Sequence, residues 1–228
     1  MKRVGLVGGL GPESTIDYYR RILDAWRRVD SSSAPPLIID SLDVTHTMHL
    51  VQTDRAALIT YLGDSVRRLH AAGADFVAIT ANTPHIAFDE ISAQSPVPLI
   101  SIVETCATET ARRGLHRPLL LGTRFTMDGD FYPDVFRRHE LTLVVPGETD
   151  RAWTHDKYVT QLLKGDFRDE TRDGFVELVT RLRDDSAVDS VILGGTELPL
   201  LLTTPTIAGL PVLDTTALHV DAIVKRLS

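Results

Sequence analysis

The sequence predicts an α/β protein built from two similar halves, each a parallel sheet covered by helices. Three observations carry this. Strand and helix signals alternate along the whole chain, the pattern of parallel sheets with crossover helices. The apolar runs that read as strands are short and end in turn residues. Two pairs of strand-to-helix turns also repeat at one interval: Gly8 to Gly122 (122 − 8 = 114) and Ala81 to Gly195 (195 − 81 = 114), half of the 228 residues. The local text agrees, since Phe76-Val77-Ala78-Ile79-Thr80-Ala81-Asn82-Thr83 has the shape of Ser190-Val191-Ile192-Leu193-Gly194-Gly195-Thr196-Glu197.

Taken in order, Arg3–Val7 is an apolar run stopped by glycines, a buried strand entering a tight turn. Thr15–Val29 follows as a helix with Ile16, Tyr19, Ile22, Leu23 and Trp26 on one face, and Pro12 suits the first helical position. Leu37–Asp40 is the next strand, Arg55–Ala72 a helix closed by Gly73, and Phe76–Thr80 a strand running into Ala81-Asn82-Thr83-Pro84-His85. Leu99–Ile102 reads as a strand and Glu104–Arg113 as a helix stopped by Gly114. Pro118–Leu121 is a strand, Asp128–Arg138 a helix and Leu143–Val145 a strand. Helices over His155–Leu163 and Glu170–Asp184, strands over Ser190–Leu193 and Pro211–Leu213, and a helix over Thr215–Leu227 complete the chain. The expected domains are residues 1–97 with 208–228, and residues 98–207. The turns face one another across a cleft near a pseudo-twofold axis, since ligands of such sheets sit beyond the carboxyl ends of the strands.

Composition narrows the function. With 43% hydrophobic and 24% charged residues the chain is an ordinary globular sequence, and its 228 residues bury a real core as one large or two small α/β domains. Cys106 is the sole cysteine, so no disulfide staples the fold, and the apolar run before Glu13 and Asp17 is too short for a signal peptide; the expected location is cytoplasmic. The longest uncharged stretch, Leu198–Leu213, carries Pro199, Pro205 and Pro211 and is too short and broken to cross a bilayer, so no membrane role is expected. A net charge of −7 argues against nucleic acid. The doublets Arg27-Arg28, Arg67-Arg68, Arg112-Arg113 and Arg137-Arg138 fall near predicted helix ends, where cations complement the helix dipole.

The first turn, Gly8-Gly9-Leu10-Gly11-Pro12-Glu13-Ser14-Thr15, comes close to a dinucleotide fingerprint, with Asp40 where a ribose-binding carboxylate would sit. Pro12 removes an N–H that a pyrophosphate needs and Glu13 repels phosphate, which speaks against a Rossmann dehydrogenase. A tight turn able to hold a smaller anion such as a carboxylate remains, with Ser14 or Thr15 adding a hydroxyl; helix initiation alone is the alternative.

The blocks Gly5-Leu6-Val7-Gly8-Gly9-Leu10-Gly11-Pro12-Glu13-Ser14-Thr15-Ile16-Asp17-Tyr18-Tyr19, Asn82-Thr83-Pro84-His85, Leu121-Gly122-Thr123-Arg124-Phe125-Thr126-Met127, Gly194-Gly195-Thr196-Glu197-Leu198 and Leu213-Asp214-Thr215-Thr216 together resemble the aspartate/glutamate racemase family, in order and over the whole chain. The resemblance implies two pseudosymmetric α/β domains, a homodimer, and an isomerase with neither pyridoxal phosphate nor metal. It also implies a small amino acid or related carboxylate in the cleft, with two cysteines, one per domain, on opposite faces of its α-carbon. Such chemistry needs one group to remove a proton and another to return one, and thiols tuned toward neutral pKa suit it.

Here the sequence departs from the family. Ala81 stands before Asn-Thr and Gly195 before Thr-Glu, the places where the resemblance expects cysteine. Neither a methyl group nor a hydrogen atom transfers a proton, so two-cysteine racemisation is not expected. Cys106 lies within a helix at no position the motifs mark, and reads as a buried structural thiol.

Binding groups survive better. By resemblance the substrate contacts are Gly9, Leu10, Ala81, Asn82, Thr83, Thr123, Thr126, Gly195 and Thr196, with Gln52 and Lys164 aligned more loosely. Lys164 is one of 4 lysines against 20 arginines, suited to a distal carboxylate, the alternative being a solvated helix-end lysine. For residual catalysis the candidates are Thr83, as a donor to an oxyanion, and Glu197, as a base of raised pKa or as a turn-stabilising acceptor. His85 is expected to hold its loop. Two functions follow: a divergent cofactor-independent isomerase, lyase or cyclase acting on a small amino acid or carboxylate, or a binding or regulatory protein that has lost catalysis.

Overall fold

Two mainly parallel sheets organise the computed structural model, which describes residues 1–228. The first unit runs Met1–Ile102 and is completed by Thr216–Ser228; the second is Val103–Thr215. The first contains β1 (Val4–Gly8), α1 (Pro12–Val29), β2 (Leu37–Ser41), α2 (Val44–Thr53), α3 (Arg55–Ala71), β3 (Phe76–Ile79), a 3-10 turn at Thr83–Ala87, α4 (Phe88–Gln94) and β4 (Leu99–Ile100). Its strands order β2-β1-β3-β4, all parallel. The strands alternate their side chains between two covers. Val7, Val77 and Ile79 pack with Leu50, Leu58, Leu62, Leu69 and Ile91, while Val4, Leu6, Phe76 and Ala78 pack with Tyr18, Ile22, Trp26 and the last helix. Each large side chain fully withdrawn from water in this way contributes roughly 1.5–3 kcal/mol.

The second unit contains α5 (Ile102–Arg112), β5 (Pro118–Gly122), α6 (Arg124–Asp128), α7 (Phe131–Arg138), α8 (Glu148–Thr160), a 3-10 turn at Leu162–Lys164, α9 (Asp169–Ser186), β6 (Ser190–Gly194), α10 (Leu198–Leu201), β7 (Thr206–Ile207) and β8 (Leu210–Asp214), after which α11 (Thr215–Leu227) returns the chain to the first unit. The order is β5-β6-β8-β7, with β7 antiparallel. Leu119, Leu121, Val191 and Leu193 pack with Tyr158, Leu162, Phe175 and Val179.

The internal repeat is visible in the strand register. Val4 pairs with Phe76 in the first sheet and Pro118 with Ser190 in the second, so both partners shift by one interval (118 − 4 = 114, 190 − 76 = 114).

The structure redraws several sequence expectations. The domain boundaries move: β4 pairs with β3 and keeps residues 98–102 in the first unit, and β8 pairs with β6 and puts residues 208–215 in the second. The expected strand at Leu143–Val145 shrinks to a bridge between Leu119 and Val144. Val144 donates to Pro118 O and accepts from Leu120 N–H, but the next donor in register is Pro146, which has no N–H. The buried face of α1 is Tyr18, Ile22, Ala25 and Trp26, whereas Ile16 and Tyr19 are about half exposed, at 44% and 43%. Two helices replace one over Asp128–Arg138, and α8 begins at Glu148 instead of His155 because Glu148 and Asp150 suit its amino end while supplying no apolar signal. The helix α2 went unread: it buries only Thr47 and Leu50, and it starts because Asp43 accepts from Thr45 N–H at 2.7 Å.

The arginine doublets do lie near helix ends: Arg27, Arg28, Arg68, Arg112, Arg137 and Arg138 are in last turns, with Arg67 just before one and Arg113 just beyond another. Each doublet has at least one arginine paired with a carboxylate, among them Asp24, Asp64, Glu109 and Asp134. Asp40 accepts from Ser65 Oγ at 2.6 Å and from the Arg68 guanidinium at 2.8 Å, so it closes β2 onto α3 and is spent structurally. No helix is long and apolar enough to cross a membrane.

Candidate functional site

In each unit two neighbouring strands end side by side, and the predicted site residues follow them. In the first unit Val7 pairs with Ile79, and Thr80 donates to Val7 O from both its N–H and its hydroxyl at 3.0 Å. The turns Gly8–Gly11 and Ala81–Thr83 therefore adjoin. Gly9 has φ +73°, and a Cβ there would lie 2.6 Å from Leu42 N, so the chain passes too closely for any other residue. The N–H of Gly9 donates to Thr15 Oγ1 at 2.9 Å, and Thr15 Oγ1 donates to Gly11 O at 3.2 Å. The Thr15 hydroxyl thus closes the turn upon itself, and Leu10, Ser14 and Thr15 are buried.

Ala81, Asn82 and Thr83 are also buried, and one side chain fixes them. His85 lies fully buried, with Nδ1 2.9 Å from Ala81 O and Nε2 3.2 Å from Ile102 N. A carbonyl only accepts and an amide only donates, so Nδ1 carries the hydrogen and the ring is neutral. Burial, reinforced by the neighbouring His219, pushes its pKa down to about 3. His85 positions the turn, as expected from the sequence, and is not poised to exchange protons near neutrality.

In the second unit Gly122 pairs with Gly194, which sets Thr123 beside Gly195 at the ends of β5 and β6. Thr123 caps α6, its hydroxyl accepting from Thr126 N–H at 3.3 Å and lying 3.2 Å from Thr126 Oγ1. Thr126, Thr196 and Glu197 are buried. The Glu197 carboxylate accepts a hydrogen bond from the Tyr158 hydroxyl and lies 3.4 Å from Thr196 Oγ1. Of its two expected roles, the acceptor role is the one displayed. Tyr158 is held as the neutral phenol: burial first, then the adjacent carboxylate, raises its pKa well above the usual tyrosine range.

Tyr158 is the residue that sequence reasoning missed, and it explains Gly195. A Cβ built on Gly195 would lie 2.6 Å from the Tyr158 hydroxyl oxygen and closer still to ring carbon Cε2. The phenol occupies the space that any side chain at 195 would need. The sequence could not show this, because the side chain that fills the space lies 37 residues away (195 − 158 = 37) on another element.

Gln52 on α2 and Lys164 at the end of the Leu162–Lys164 turn are exposed, with no hydrogen bond joining either side chain to the strand-end turns. Cys106 is fully buried in α5, where burial pushes its thiol up to about 12. A thiol of that kind is inert. In native buffer Cys106 is expected to react with an aromatic disulfide reagent no faster than the protein unfolds, which a comparison of labelling and unfolding rates checks; immediate labelling would contradict the burial.

This arrangement, two parallel sheets of like register with glycine-rich turns at their carboxyl ends, defines a two-unit racemase-type α/β fold. The Asp/Glu/Hydantoin racemase family profile matches residues 7–223, and the chain belongs to that family. It is 25% identical over 143 residues to the broad-specificity amino-acid racemase RacX of Bacillus subtilis, an alignment covering 59% of this chain and 60% of RacX, less than two thirds of that relative. Among solved structures, a candidate Asp/Glu racemase from Yersinia pestis superposes with TM-score 0.88 at 30% identity, covering 100% of this chain and 99% of the other. An aspartate racemase homologue from Pyrococcus horikoshii OT3 gives TM-score 0.82, also at 30% identity, with 100% and 99% covered.

Proposed function

We propose that the chain is a cofactor-independent enzyme acting on a small amino acid or related carboxylate, and that it does so without two-thiol stereoinversion. The observation that carries this reading is the pair of strand-end turns in which alanine and glycine hold the cysteine places while the sole thiol, Cys106, is buried elsewhere. RacX supports an amino acid as the ligand class. Asn82 and Thr83 in one unit, with Thr123, Thr126 and Thr196 in the other, supply neutral donors suited to a carboxylate and an amine. Lys164, exposed and in no ion pair, is available to a second carboxylate. Isomerisation by another route, elimination and cyclisation all remain within reach of such a set, because stabilising a developing oxyanion is the larger part of each. The same reading makes the protein a cytoplasmic homodimer.

The test is a thermal-shift screen over both enantiomers of the protein amino acids and over dicarboxylates, paired with chiral chromatography of aspartate and glutamate. Binding of at least one acid is expected to raise the melting temperature by several degrees near 100 Kd, where mass action supplies about 2.7 kcal/mol. Thr83→Ala and Lys164→Ala are expected to reduce that shift. Neither enantiomer of aspartate or glutamate is expected to invert. Inversion at enzymatic rates would sink the reading, and undiminished shifts in both variants would place the ligand elsewhere.

A further inference from the structure

Two contacts tie Tyr158 to the strand-end turn of the second unit, and a third feature lies on the same helix. The Tyr158 ring lies against the α-carbon of Gly195. Its hydroxyl is hydrogen-bonded to Glu197, two residues further along the same turn, and 3.4 Å from that residue's N–H. One helical turn earlier on α8, Thr154 is fully buried with its hydroxyl oxygen lacking any hydrogen-bond partner. Positions i and i+4 share a helix face, so Thr154 and Tyr158 present two hydroxyls on one side of α8. A buried hydroxyl without a partner calls for an explanation. A polar group brought by a ligand would provide it.

We infer that Tyr158 is the proton carrier of this turn, filling with its phenol the space vacated at position 195 and relaying a proton between a small carbon acid and Glu197. The inference rests on the binding role proposed for the strand-end turns. In the forward step the substrate C–H bond breaks and its proton goes to the Tyr158 oxygen, while the phenolic proton passes to the Glu197 carboxylate. The negative charge that Glu197 gives up reappears on the substrate as an enolate, and no oxidant or second reactant is required. Once the hydrogen on the phenol oxygen has been traded with solvent, the step reverses: Glu197 returns its proton to the phenol oxygen as the phenol protonates carbon, so the carbon takes up a solvent hydrogen. A proton removed and returned by one group is handled on one face, so configuration is kept. The shape of the phenol matters as well as its acidity, because Tyr158 and a cysteine at 195 exclude each other.

The experiment incubates the full chain in deuterated water with L- and D-alanine, aspartate and glutamate, following loss of the α-proton by NMR and configuration by chiral chromatography. At least one of the six probes is expected to exchange its α-hydrogen without inversion. Tyr158→Phe, shown to be folded by circular dichroism, is expected to slow exchange by about 10²-fold or more, and Glu197→Gln likewise. The thermal shift produced by the same probe should persist in Tyr158→Phe, a split between binding and turnover that loss of packing would not produce. Absence of exchange from all six probes with the wild-type chain overturns the relay, and so does exchange in Tyr158→Phe at a rate close to wild type. If a probe raises the melting temperature without exchanging, the relay fails and the proposed binding function stands; inversion would defeat both.

Discussion

Replacing Gly195 by alanine is expected to lower the unfolding free energy by about 1–3 kcal/mol, the usual cost of forcing extra carbon into a packed interior. The added methyl meets the Tyr158 phenol, its hydroxyl oxygen 2.6 Å away. That ring is not the loose end of a flexible chain. It sits in the second unit's core with Leu119, Leu121 and Phe175, and its hydroxyl is bonded to Glu197. Moving it disturbs apolar packing and leaves a buried carboxylate short of a donor, so relaxation offers little relief. Cysteine, which carries the same Cβ and a larger sulfur, is expected to cost more than alanine. The controlling comparison is a double-mutant cycle by urea unfolding. In a Tyr158→Leu background, whose side chain does not reach as far, Gly195→Ala should cost less than about 0.5 kcal/mol, giving a coupling energy of roughly 0.5–3 kcal/mol between the two positions. Equal costs in both backgrounds would show that the phenol does not guard position 195. The cycle also bears on the proposed function, because a cysteine at 195 would meet the same phenol.

The parts of the molecule that were legible in its sequence are those written in local, repeated text. The 114-residue interval between Gly8 and Gly122 reappeared as strand register, because a parallel pair of short apolar runs has little freedom to slip once both faces are covered. His85 was correctly read as a loop-holding residue. The elements that escaped were those with weak or misleading apolar periodicity. In α2 only Thr47 and Leu50 are buried. In α1 apolar residues lie on several sides, and a long-range partner chose among them: Tyr18 Oη, 2.9 Å from His219 Nδ1, is 201 residues from it along the chain. The domain boundaries were misplaced because hydrogen bonding decides which sheet takes β4 and β8, and local composition does not record it. The candidate site followed the same rule. Its turns lie in local text, whereas Tyr158 falls inside the helix expected over His155–Leu163 with no local signal, since its meaning depends on what is absent at 195.

Acidification should destabilise this protein well before its carboxylates titrate. His85 and His219 are both fully buried on the first unit's side of the chain, with ring centroids 6.5 Å apart. His219 Nε2 donates to Ile100 O at 3.0 Å, which leaves Nδ1 to accept from the Tyr18 hydroxyl at 2.9 Å. Neither ring has a carboxylate partner to reward protonation. Burial, with repulsion from His219 added, lowers His85 to about 3, and burial lowers His219 to about 4. In the unfolded chain both titrate near 6.5. Between those values the unfolded state binds protons that the folded state refuses, so stability falls as the pH drops. The contribution is fully present above pH 7 and is lost progressively as the pH falls through 6 and 5 toward the folded-state values. From pH 7 to pH 5 each histidine is expected to cost about 2 kcal/mol, roughly 4 kcal/mol for the pair. Paired urea titrations at those two pH values measure the loss. His219→Gln, whose amide keeps a donor and an acceptor, should be less stable than wild type at pH 7 yet lose about 2 kcal/mol less on acidification. A wild-type unfolding free energy that is flat between pH 7 and pH 5 would mean that one of these rings can be protonated in place. His85 would then have to be reconsidered as a proton-exchanging group beside Ala81.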